Sequence, residues 1–90
     1  MTRILVLTHD ACPHDIFGTF ELAGRSVRFR PSELTIAFRD GHELTVHGRE
    51  SCDRQLAMAV TRIAKRMKTI ELPDGSTVDR HPDFKVHFKV

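Results

Sequence analysis

The stretch Ser51–Lys68, SCDRQLAMAVTRIAKRMK, is the one part of the chain whose apolar residues return with a helical period. Cys52, Leu56, Ala59, Val60, Ile63 and Met67 fall within about a third of a helix's circumference, the width of a core-facing stripe. Such a stripe must be buried against something, and the flanking segments supply it, because most of them alternate in the two-residue rhythm of strands. The pattern therefore predicts one helix, about residues 51–68, on one face of a small sheet. Ser51 is placed as its N-cap and Asp53 in its first turn. Arg62, Lys65, Arg66 and Lys68 crowd its last turns, where the carbonyl end favours cations.

The strands follow from the alternation. Arg3–Leu7 carries an unbroken apolar run that suggests cover on both faces. Ile16–Leu22 and Arg25–Arg30 flank an Ala23-Gly24 turn. Leu34, Ile36 and Phe38 alternate with Thr35, Ala37 and Arg39, and Asp40-Gly41 reads as a hairpin turn into Leu44 and Val46. Pro73-Asp74-Gly75 marks a second hairpin, and Phe84, Val86, Phe88 and Val90 form a closing strand with one buried face. The expected fold is α+β: a mostly antiparallel meander with one helix packed on it. Val27, Phe29, Leu34, Ile36, Phe38, Leu44 and Val46 should meet Leu56, Val60, Ile63 and Met67.

Ninety residues without a linker or repeat predict a single domain, residues 1–90. The N-terminal apolar run, Ile4–Leu7, is too short for a signal-peptide core or a membrane span. A cytoplasmic protein with reduced cysteines and no membrane partner is expected. Net charge is only +2, but Arg25–Lys68 holds ten basic and five acidic residues, so positive charge is concentrated in the middle of the chain.

Two clusters could carry chemistry. In the loop THDACPHD, His9, Cys12 and His14 are zinc-type ligands, and a zinc-stabilised domain is one alternative. A structural site wants four ligands, however, and Pro13 separates two of these three; no metal and no cofactor is expected. Cys52, at the helix start with His47 upstream, has the outline of a cysteine–histidine nucleophile. It is also in phase with the apolar stripe and has no orienting third residue, so an enzyme is not expected.

The basic surface is the better lead. Opposite the stripe lie Arg54, Met58, Arg62 and Lys65, with Thr61 and Lys68 beside them, and a lone methionine among cations suits a contact surface. Arg28, Arg30, Arg39, His47, Lys85, His87 and Lys89 share the outward parity of the strands. Core parity for five of the six phenylalanines leaves no stacking platform for bases, so any nucleic-acid binding would be electrostatic and weakly specific.

With its meander from Ile16 to His47, its helix from Ser51 to Lys68 and its closing strand FKVHFKV, the chain resembles the small phage-borne inhibitors of bacterial defence, anti-CRISPR proteins among them. The resemblance is one of architecture and size. It implies a non-enzymatic protein that occludes a surface of a larger protein or nucleoprotein complex. The basic balance departs from the acidic, DNA-mimicking members of that group. The expected contact residues are Arg54, Met58, Arg62, Lys65, Arg28, Arg30 and Arg39, on a monomer or homodimer. Binding to nucleic acid through the same residues is the alternative.

Overall fold

The computed structural model describes residues 2–11 and 15–89. Its centre is a three-stranded sheet in the order β1-β4-β7, made of β1 (Thr2–Val6), β4 (Glu43–His47) and β7 (Lys85–Lys89). Both pairings are parallel: Leu5 aligns with Val46, and Val46 with Phe88. Parallel neighbours require long crossovers, and each crossover here carries a hairpin and a helix. The first holds β2 (Gly18–Ala23), β3 (Ser26–Pro31) and helix α1 (Glu33–Asp40). The second holds helix α2 (Arg54–Lys65), then β5 (Thr69–Glu71) and β6 (Thr77–Asp79).

The fold is α+β, as the sequence predicts, but not a single antiparallel meander with one helix. Among the described residues, antiparallel pairing is confined to the β2–β3 and β5–β6 ribbons. Residues 33–40, expected as a strand, form a second helix. Local capping decides this. Ser32 accepts from the Thr35 amide through Oγ, and Gly41 takes a left-handed conformation with its amide donating to the Ala37 carbonyl. Asp40-Gly41 is thus a helix terminus rather than a hairpin turn. Leu34, Ala37 and Phe38 satisfy the helical spacing as well as Leu34, Ile36 and Phe38 satisfy the strand spacing, so periodicity alone could not choose.

The two crossovers step across the sheet in the same direction and bury both helices in one core. Leu44 and Val46 form its floor, α1 supplies Leu34, Ala37 and Phe38, and α2 supplies Leu56, Val60 and Ile63. Phe38 and Phe84 meet edge to face with centroids 5.3 Å apart. Crossovers of one hand that step the same way must lie on the same side. Among the described residues the other face of the sheet is therefore bare: Ile4 and Val6 are 58% and 61% exposed beside Glu43, His47, Lys85, His87 and Lys89. The expectation that β1 is covered on both faces is corrected by this topology. Val27 is likewise not in the core. It lies with Leu22, which is 82% exposed, at the free end of the β2–β3 ribbon, whose base is anchored through Phe29.

Candidate functional site: a basic groove along α2

Helix α2 begins two residues later than Ser51 as cap would allow, because Asp53 is the N-cap and accepts from the Gln55 amide at 2.8 Å. Cys52 then precedes the helix, half-buried against the core. From this start, Leu56, Val60, Ile63 and Ala64 face inward, and Arg54, Met58, Arg62 and Lys65 share the opposite flank. Those four residues line one groove of about 610 Å³, along with Ala57 and Thr61. Arg54 and Lys65 are about 16 Å apart along the axis at 1.5 Å per residue. Met58 stands among the cations 55% exposed.

The groove is completed by residues that helical spacing does not reveal. Arg49 and Glu50 enter from the turn after β4, and Arg66 from the helix C-terminus. Arg49 is fixed on two sides: its guanidinium lies 4.1 Å from the Phe88 ring centroid, and Nη1 donates to Thr61 Oγ1 at 3.4 Å. The turn that delivers it depends on Gly48, whose φ is 84° and where a Cβ would collide with the Leu7 carbonyl oxygen. A glycine followed by arginine, just before a helix, was the available signal for this residue.

Charge is one-sided in the groove. Arg49, Arg54, Arg62, Lys65 and Arg66 face a single acid, Glu50. Among the described residues, none of these five cations lies within ion-pair distance of a carboxylate. Three cations elsewhere do have carboxylate partners. Arg3 is bound to Glu33 at 2.7 Å and donates from Nε to His42 Nδ1 at 2.8 Å. Arg39, expected as a contact residue, sits in the last turn of α1 and pairs with Asp40 at 2.9 Å, an interaction that holds the Asp40 carboxyl below the usual carboxylate range. Arg28 and Arg30 lie on the polar face of the β2–β3 ribbon, with Arg30 3.9 Å from Glu21. Arg28, Arg30 and Arg39 do not line the groove.

The other candidates have weaker geometry. The Cys52 thiol donates to the Arg49 carbonyl at 3.3 Å, and burial raises its pKa, with Asp53 and Glu50 adding to the effect. That is the reverse of what a nucleophile needs. Cys12 and His14 lie outside the described residues. His9 is exposed beside Asp10, and among the described residues no three His, Cys, Asp or Glu side chains converge as a metal site. No helix in the described residues is long and apolar enough to cross a membrane. Compared with known proteins, the chain matches no family model and no curated sequence.

Proposed function

We propose that this protein is a non-catalytic binding domain that docks the α2 groove onto an acidic surface of a larger protein or nucleoprotein complex. The observation that carries this reading is the set of five cations without carboxylate partners around an exposed Met58. Exposed cations cost little to leave hydrated, so their presence alone would mean little. Their convergence on one groove beside an exposed apolar residue supports a contact role, with arginines for bidentate carboxylate pairs and a methionine as adaptable anchor. Acting in this way the domain would inhibit by occlusion, the mode implied by its resemblance to phage-borne inhibitors, and would need neither metal nor cofactor.

Nucleic acid is the second reading, because unpaired arginines also suit phosphates. Salt dependence separates the two. Phosphate contacts weaken log-linearly with salt at a slope close to the number of phosphates neutralised, whereas a packed protein interface responds less. Capture from lysate would be compared for wild type, Met58→Ala and Arg54→Glu/Arg62→Glu, each with and without nuclease. A protein partner should be lost with the double variant, weakened by Met58→Ala and indifferent to nuclease. Retention by the double variant would sink the assignment to this groove.

A further inference from the structure

The groove adjoins a second feature, the free edge of β7. This strand ends the sheet, and among the described residues nothing pairs with its outer side. A sheet edge is a row of backbone donors and acceptors ready for another strand. Its side chains determine which strand. Lys85, His87 and Lys89 point to the bare face, and Val86 and Phe88 point inward, half-buried against the core. A further copy of β7 would set lysine beside lysine, which opposes self-pairing. The same lysines attract a strand that carries acids at alternate positions. On the inner side, Val86 and Phe88 offer partly open apolar surface, and Arg49, stacked on Phe88, connects that surface to the α2 groove.

We propose that the partner enters as an extended segment alternating acidic and apolar residues, which adds to the free edge of β7 as a fourth strand. Its acids lie beside Lys85, His87 and Lys89, and its apolar residues beside Val86 and Phe88. Acids flanking the strand reach Arg49 and the cations of α2. Main-chain hydrogen bonds supply affinity and the alternation supplies selectivity, as in strand addition generally. This rests on the acidic-partner reading above and specifies the form of the partner.

The test uses the full chain and two synthetic peptides of equal composition, one alternating Glu and Val over seven or so residues, the other with Glu and Val in separate blocks. Fluorescence anisotropy measures binding, and amide hydrogen exchange locates it. The alternating peptide should bind more tightly than the blocked one and slow exchange at β7 amides. Lys85→Glu/Lys89→Glu, both at exposed positions, should weaken it about fivefold or more while leaving the thermal melt unchanged. Equal binding of the two peptides, or binding without β7 protection, overturns strand addition. If that residual binding is lost on Arg62→Glu, the α2 reading stands alone. Binding of neither peptide also overturns the proposal, and the lysate capture with Arg54→Glu/Arg62→Glu then judges the groove separately.

Discussion

Thr35→Val distinguishes the observed helix α1 from a strand over the same residues. In a strand alternating with Leu34 and Ile36, Thr35 would face solvent, and the exchange would fall within the roughly 0.5 kcal/mol typical of surface sites. In the helix, Thr35 is 1% exposed, and its hydroxyl donates to the Phe17 carbonyl at 2.7 Å. That carbonyl also accepts from the Ser32 amide at 3.0 Å, so it is not left without a partner when the hydroxyl goes. The loss is therefore one net hydrogen bond, about 1 kcal/mol. A second cost comes from shape. A methyl carbon needs at least 3.3 Å or so from a carbonyl oxygen, and a close-packed interior yields about half an ångström only with strain, adding on the order of 1 kcal/mol. The greater hydrophobicity of the methyl returns about 0.8 kcal/mol at most.

The expected balance is a destabilisation of about 1 to 1.5 kcal/mol. For a domain of this size that corresponds to a Tm lower by about 4–12 °C. Urea unfolding followed by circular dichroism measures it directly, with the midpoint moving and the slope constant. A Thr35→Val protein as stable as wild type would refute the buried placement of Thr35 and the docking of the β2–β3 ribbon on α1.

Further perturbations address other parts of the molecule. Ile63→Asp places a carboxylate at a 4%-exposed position of the α2 stripe and should abolish the cooperative melt; a retained transition would mean that the buried face is misassigned. Gly48→Ala combines left-handed strain with a backbone collision and should cost about 3 kcal/mol in urea unfolding, so a change below about 1 kcal/mol would contradict the close approach of the turn after β4 to the Leu7 carbonyl. For Cys52, burial raises the thiol pKa, so at pH 8 less of it is thiolate in the folded chain than in the unfolded one. In a Cys12→Ser background, iodoacetamide should alkylate it more slowly in buffer than in urea. By linkage this group's stabilising contribution is complete below the unfolded thiol pKa and is lost as pH rises towards the folded value. Equal alkylation rates would show that the thiol is not shielded.

Much of the molecule was legible in local pattern. The middle of the α2 stripe (Leu56, Val60 and Ile63), the turns at Ala23-Gly24 and Pro73-Asp74-Gly75, and the alternation of β7 stand where spacing places them, whereas Cys52 and Met67 flank the helix. What spacing could not provide was partnership between strands. Leu44 and Val46 read alike whether the next strand runs parallel or antiparallel, because the direction is set by crossovers tens of residues long. Residues 33–40 misled for a different reason. Leu34, Ile36 and Phe38 obey one period while Leu34, Ala37 and Phe38 obey another, and only Ser32 and Gly41 at the ends break the tie. The groove shows the same division. Arg54, Met58, Arg62 and Lys65 follow from helical geometry alone, whereas Arg49 joins them through a glycine turn and an aromatic stack made by a distant strand.

The position of β4 at the centre of the sheet governs how this chain reaches its fold. Each of its neighbours lies about forty residues away in sequence, one before it and one after. The β2–β3 and β5–β6 ribbons can close within microseconds, but β4 gains a partner only when one of two long loops has closed. Assembly of the sheet is therefore expected to follow the ribbons. Until it occurs, Leu44 and Val46 lie in a strand with Glu43 as its one acid and no lysine, unlike β7 with its two. Cleavage ahead of Lys85 would recreate that state in the folded chain, turning a protected centre into an adhesive edge. By pairing with β4, β7 thus covers the edge beneath it and presents its own lysine-bearing edge instead.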